Sequence, residues 1–144
     1  SLRDGTKKMS KSEESDLSRI NLKDNADEII KKIKKAKSDS EPIPENLSNL
    51  EKKPEALNLI NIYAEMTKKN LEAVLNEVAG KEYSFLKTKL SEVLISEIVP
   101  IGKEINKLLD DKAYLMQILK KGKEKANIIA EENLKNIREK VGLI

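Results

Sequence analysis

Residues 82–109 read EYSFLKTKLSEVLISEIVPIGKEINKLL. Leu86, Leu90, Val93, Leu94, Ile98, Ile101, Ile105, Leu108 and Leu109 recur at helical spacing and lay one apolar stripe along a long helix. Pro100 falls inside the pattern, where it removes one i→i−4 hydrogen bond and predicts a kink just before itself. The period continues on both sides, so the stretch is predicted as one bent helix and not as two. Beyond it, Asp110 or Asp111 can cap a last helix over about 112–140. The stripe of that helix is Leu115, Ile118, Leu119, Ala126, Ile129, Ala130, Ile137 and Val141. Gly122 interrupts it at about 1 kcal/mol relative to Ala, which predicts a close helix approach there. Gly142 ends it.

The same periodicity extends towards the N-terminus. Pro54 suits the first turn of a helix carrying Leu57, Ile60, Tyr63, Ala64 and Met66. Thr67 or Asn70 can cap a shorter helix with Leu71, Val74, Leu75 and Val78, and Gly80 supplies its left-handed stop. Residues 54–144 are therefore predicted to form a compact antiparallel helical bundle, and the fold class is all-α. Residues 38–53 (SDSEPIPENLSNLEKK) read as a linker held extended by Pro42 and Pro44. A helix over about 25–38 opens with Asp24 or Asn25 as N-cap and has Ile29, Ile30, Ile33 and Ala36 on its apolar face. Its lysines 31, 32, 34, 35 and 37 read as a solvated face, with a contact to phosphate or a nucleic acid as the less favoured reading. Residues 1–23 show no sustained helical period, and Ile20-Asn21-Leu22 suits a short strand or extended leg.

Composition narrows the chemistry. The chain has 144 residues, enough for one core. It contains neither Cys nor His, which excludes disulfides, thiolate nucleophiles, Ser-His-Asp triads and His- or Cys-ligated zinc within these residues. No apolar run approaches the roughly 20 residues of a membrane span, and no signal-peptide pattern opens the chain; a soluble, cytoplasmic protein with no membrane partner is expected. Net charge is +3, concentrated in residues 1–37, where eleven Lys/Arg face seven Asp/Glu. The only arginines are Arg3, Arg19 and Arg138. Aromatics make up 3%, too few for a base-stacking platform.

One segment suits a definite chemical step. Lys8-Met9-Ser10-Lys11-Ser12 places two ammonium groups three residues apart among small hydroxyl residues. Such a segment can put two point charges on a polyphosphate, with serine hydroxyls and backbone N–H groups as further donors. Charge neutralisation of this kind counts most on a leaving pyrophosphate.

This run resembles the KMSKS loop of class I aminoacyl-tRNA synthetases. The whole chain is similar to the C-terminal part of the bacterial tryptophanyl-tRNA synthetase family. The likeness is carried by residues 1–12, by Ala36–Ser40, by Lys53-Pro54-Glu55-Ala56-Leu57-Asn58-Leu59-Ile60-Asn61-Ile62-Tyr63, by the Pro100 helix, and by the ending from Ile128 through Leu134 to Arg138–Leu143. Where the family often continues the loop with Asp-Pro, this chain has Glu13-Glu14.

The resemblance implies a division of labour. Residues 1–23 would be the KMSKS loop and extended leg of the catalytic domain, residues 24–53 a linking helix and Pro-containing linker, and residues 54–144 the helical anticodon-binding domain. The Rossmann domain that activates tryptophan, with its HIGH-type motif and tryptophan pocket, is missing, so the chain is expected to be a fragment without activation activity of its own. Lys8 and Lys11 would be catalytic, contacting the ATP phosphates, with Lys11 the stronger candidate for stabilising pyrophosphate. Met9 would lie beside the adenine, and Ser10 and Ser12 would support the loop or the phosphates. ATP, accompanied by Mg2+, tryptophan and tRNA(Trp) are the implied ligands, no protein metal site is expected, and no residue is singled out for the anticodon. The parent would be a homodimer. Residues 1–20 are expected to be mobile, because their docking surface would be absent. A free-standing basic helical module that binds RNA or another protein is the alternative.

Overall fold

The computed structural model describes all 144 residues, Ser1–Ile144, and contains helices but no strand. After a single 3-10 turn at Asp16–Ser18 come α1 (Ala26–Lys34), α2 (Leu47–Leu50), α3 (Pro54–Thr67), α4 (Leu71–Val78), α5 (Tyr83–Asp110) and α6 (Lys112–Lys140). The chain forms two compact units, Ser1–Lys103 and Glu104–Ile144.

The caps follow local chemistry. Asn25, not Asp24, caps α1: its side chain accepts from the Glu28 amide at 3.0 Å, and the Glu28 carboxylate accepts from the Asn25 amide at 2.8 Å. Asn70 caps α4 by accepting from the Ala73 amide at 2.7 Å. Asp111 caps α6 by accepting from the Tyr114 amide at 2.9 Å. Pro54 opens α3, which ends at Lys68 in the left-handed region (φ 55°), a stop that nothing in its composition announces. Gly80 (φ 68°) follows α4 as expected. Helix α5 runs unbroken through Pro100.

The first unit has one core, drawn from both sides of residue 53. Leu2, Ile29, Ile33, Ile43 and Leu50 are fully buried with Leu59 and Ile60 of α3, Val74 and Val78 of α4, and Leu86 and Leu90 of α5. The linker expected at 38–53 thus contributes two core side chains. Its Ile43 exchanges backbone hydrogen bonds with the segment after α4, donating to the Lys81 carbonyl and accepting from the Gly80 amide, both at 2.9 Å.

Helix α1 is shorter than its composition suggests, and the cause is a competing acceptor. The Lys37 amide donates to the Leu2 carbonyl at 2.7 Å, which pulls the chain out of the helix, while the Leu2 amide donates to the Ser18 carbonyl at 2.9 Å. The freed carbonyls of the last turn are capped from outside. Arg3 donates to the Lys35 carbonyl, and Lys87 donates to Lys34 at 3.3 Å and to Ala36 at 2.7 Å. Burial pushes the Lys87 amine below its usual value, with Arg3 adding to the effect.

Two glycines allow the N-terminal segment to lie on the helices. A Cβ at Gly5 would sit 2.3 Å from the Pro54 carbonyl oxygen at the start of α3, and one at Gly102 would sit 2.8 Å from the Leu22 carbonyl oxygen. Both are close approaches of backbone to backbone. The expectation that residues 1–20 lack a docking surface therefore fails at its ends: Leu2 and Ser18 are buried in this chain's own core unit.

In the second unit α6 buries no side chain. Its apolar residues, among them Met116, Leu119, Ile128, Ile129 and Ile137, are exposed. A Cβ at Gly122 would meet nothing within 4 Å, so the close approach expected there is absent.

Candidate nucleotide-binding loop

The segment Asp4–Glu13 is built from tight local turns. Asp4 accepts from the Thr6 amide at 3.0 Å and from the Thr6 hydroxyl at 2.6 Å, and the Lys7 amide donates to the Asp4 carbonyl at 3.1 Å. The Thr6 hydroxyl, more than the ion pair to Lys7, holds the Asp4 carboxyl below its usual range. A second turn follows, in which the Glu13 amide donates to the Ser10 carbonyl at 3.4 Å. Lys11 and Ser12 occupy its two central positions, the most projecting part of a turn. The hydroxyls of Ser10 and Ser12 lie 2.8 Å apart, and the Ser12 amide donates to Ser10 Oγ at 3.3 Å.

Lys8, Lys11 and Ser12 are exposed, whereas Met9 and Ser10 are half-buried. Met9 packs against the hydrophobic core, which anchors the loop between its two lysines. Neither ammonium group pairs with a carboxylate of this chain, in contrast to Lys7, which meets Asp4 at 3.4 Å. All five residues of the run therefore sit on one short loop, with two free cations on a backbone pinned by an apolar side chain.

Behind the loop lies a polar cluster that the charge pattern did not announce. The Arg19 guanidinium donates through Nη1 to the carbonyls of Glu13 at 2.9 Å and Ser10 at 3.4 Å, and through Nε to Asn21 Oδ1 at 3.3 Å. Its Nη2 pairs with Asp16 at 3.1 Å. The other Asp16 oxygen pairs with Lys32 Nζ at 2.6 Å, and Lys32 also pairs with Asp24 at 2.6 Å. Asp24 in turn accepts from the Asn21 amide at 2.8 Å and from Asn21 Nδ2 at 3.1 Å.

Lys32 is 3% exposed, so it is no part of a solvated face, unlike Lys31 and Lys34 beside it. Burial alone would lower its pKa, but the hydrogen bonds to Asp16 and Asp24 outweigh it and leave the amine raised. Asp16 is lowered, first by its hydrogen bond from Lys32 and then by that from Asn21. A signal was available in the sequence: Lys32 lies three residues after Ile29 and four before Ala36, within the buried stripe of α1.

Comparison with known proteins bears on the same residues. The family described as tRNA synthetases class I (W and Y) matches residues 1–98, which include the loop, the polar cluster and α1 to α4. The chain belongs to this family. Within the class I synthetases, its full length is 46% identical to the tryptophan–tRNA ligase of Mesorhizobium japonicum over 144 residues, which are 41% of that protein. The ligase of Brucella melitensis is 47% identical over 142 residues, covering 99% of this chain and 40% of the relative. That of Rickettsia felis is 44% identical over 148 residues, covering all of this chain and 43% of the relative. The synthetase segment described here thus spans about two fifths of the length of the relatives it matches, in their C-terminal part.

Proposed function

We propose that the chain is the C-terminal part of a tryptophan–tRNA ligase, which activates tryptophan with ATP and transfers it to tRNA(Trp). The observation that carries this reading is the pair of unpaired, exposed lysines on a loop anchored by Met9, in a chain 46% identical to such a ligase along its whole length. In activation the tryptophan carboxylate attacks the α-phosphorus of ATP and pyrophosphate leaves. Lys8 and Lys11 neutralise the phosphates, Lys11 acting on the charge that develops on the leaving pyrophosphate. Met9 offers an apolar contact to the adenine, and Ser10 and Ser12 hold the turn or donate to phosphate oxygens. ATP is a substrate here, and Mg2+ travels with it.

In this reading residues 1–23, the loop and leg, belong with a Rossmann catalytic domain, residues 24–53 are the link, and residues 54–144 are the helical part that serves the anticodon. The parent acts as a homodimer in the cytoplasm. No helix of this chain is long and apolar enough to cross a membrane.

The test uses a chimera in which this chain replaces the matching segment of the Mesorhizobium japonicum ligase. The chimera is expected to catalyse tryptophan-dependent ATP–pyrophosphate exchange. Lys11→Ala is expected to slow exchange by about 10²–10³, the loss typical of one charged contact realised in the transition state. An unchanged rate would remove Lys11 from the mechanism. The 144-residue chain alone is expected to show no exchange.

A further inference from the structure

We propose that Arg19 is a positioning residue that sets the backbone of the Lys8–Ser12 loop, and that Asp16 and Lys32 transmit its position from α1. The role rests on the proposed reading of the loop as the ATP-phosphate segment. The turn that carries Lys11 and Ser12 is closed by a long bond, 3.4 Å from the Glu13 amide to the Ser10 carbonyl, so its backbone gains from support outside the turn. Arg19 grips the Glu13 carbonyl at 2.9 Å and reaches the Ser10 carbonyl by a longer contact of 3.4 Å, and so brackets Lys11 and Ser12 from one end firmly and from the other loosely. Only a planar fork can reach two carbonyls, an amide oxygen and a carboxylate at once; an ammonium group on a flexible stem cannot.

The guanidinium is itself held in place. Its side chain is 18% exposed and its charge is matched by Asp16, so it is poorly placed to serve as a third phosphate-binding cation. Asp16 is the joint: one oxygen meets Arg19 and the other meets Lys32. Lys32 emerges from the core face of α1 and is fixed a second time by Asp24. The path from a buried helix face to the loop is therefore continuous in polar contacts between 2.6 and 3.4 Å. It leaves Lys8 and Lys11 uncommitted while fixing the backbone that presents them.

The experiment has two readouts. In the full 144-residue chain, trypsin cleavage after Lys8 and Lys11 reports how firmly the turn is held. Arg19→Gln is expected to speed that cleavage about ten-fold while amide exchange of Leu86 and Leu90 in α5 stays unchanged. Arg19→Lys is expected not to restore protection, and Asp16→Asn, which removes the charge paired with the guanidinium without touching the loop, is expected to give an intermediate rate. In the chimera, Arg19→Gln is expected to lower kcat of ATP–pyrophosphate exchange about ten-fold with KM for tryptophan unchanged. Equal cleavage rates in Arg19→Gln and wild type, or full protection by Arg19→Lys, would overturn the proposal. A normal kcat in the Arg19→Gln chimera, where Lys11→Ala is slow, would overturn the positioning role while leaving the ligase reading intact. Loss of the Lys11 effect would remove that reading and leave the cleavage result to stand by itself.

Discussion

Replacing Lys32 by Met tests whether the buried ion pair holds the N-terminal leg to α1. The Met side chain keeps most of the apolar stem and its packing, but removes the ammonium that Asp16 and Asp24 share at 2.6 Å each. The Asp24 side chain is 7% exposed and would be left as a buried carboxylate with only the Asn21 amide and Nδ2 as donors. Removing one partner of a buried pair costs about 3–5 kcal/mol; the two surviving hydrogen bonds place Lys32→Met at the lower end, about 3 kcal/mol. The quantity to measure is the exchange-derived free energy at the amides of Leu59, Leu86 and Leu90, which lie in the core of the first unit. Helicity by circular dichroism would mix in α6, which buries no side chain. Adding Asp24→Asn removes the unpaired charge and keeps an acceptor for Asn21, so the double variant is expected to recover more than half of the loss. A Lys32→Met loss below about 0.5 kcal/mol, the range of an ordinary surface substitution, would refute the argument. So would a double variant no better than Lys32→Met. The sign of the pH dependence follows from the raised amine: the stabilisation is complete below about pH 10.4, the usual lysine value, and fades as pH climbs through the higher value of the folded state.

Further outcomes follow from other contacts. Glu77 accepts from Lys69 at 2.8 Å and from Lys89 at 2.9 Å, which lowers its carboxyl to about 2. Its stabilisation is present above about pH 4.5 and fades as pH falls towards 2; solvent screening at this partly exposed site reduces it to the order of 1 kcal/mol. Acid titration of Glu77→Gln is expected to lose that slope between pH 4.5 and 2. Gly5→Ala forces a Cβ against the Pro54 carbonyl oxygen and is expected to cost about 2 kcal/mol or more, read by core amide exchange. Gly122→Ala meets nothing and is expected to raise the stability of the α6 helix by about 1 kcal/mol, read by amide exchange within α6. The Leu2 amide, which donates to Ser18, is expected to exchange far more slowly than the exposed amides of Lys8 and Lys11; equal rates would show that the N-terminal segment is undocked.

The longer helices are legible because their determinants are local, whereas α2, capped by the Asn46 side chain, lies in the stretch that reads as a linker. A stripe at helical spacing, Asn70 before one helix and Asp111 before another, and Pro54 at a first turn each act within four residues. The end of α1 was not legible in the same way. Lys35, Ala36 and Lys37 are acceptable helix residues, and what stops them is the Leu2 carbonyl, thirty-odd positions away in sequence. The docking of residues 1–23 was missed for a related reason. Gly5 and Gly102 read as loop and helix glycines, and only the backbone that passes over them shows why a side chain is excluded.

The candidate site divides along the same line. Lys8 to Ser12 stand out in the sequence because the phosphate role proposed for them needs particular side chains at a particular spacing. The brace behind them could not be found that way, since Arg19 acts on the carbonyls of Ser10 and Glu13, and a carbonyl carries no residue identity. Lys32 is the member of the cluster that the sequence does mark. A lysine run read as one solvated face assumes that all its members point outward, yet Ile29, Lys32, Ile33 and Ala36 lie on the same side of α1. A charge inside an apolar stripe must find a partner or unfold the stripe. In a chain whose N-terminal quarter is basic, the two carboxylates that do this, Asp16 and Asp24, come from the segment joining the loop to α1. The cation that is out of place in the helix is thus linked, through Asp16 and Arg19, to the Lys8–Ser12 loop.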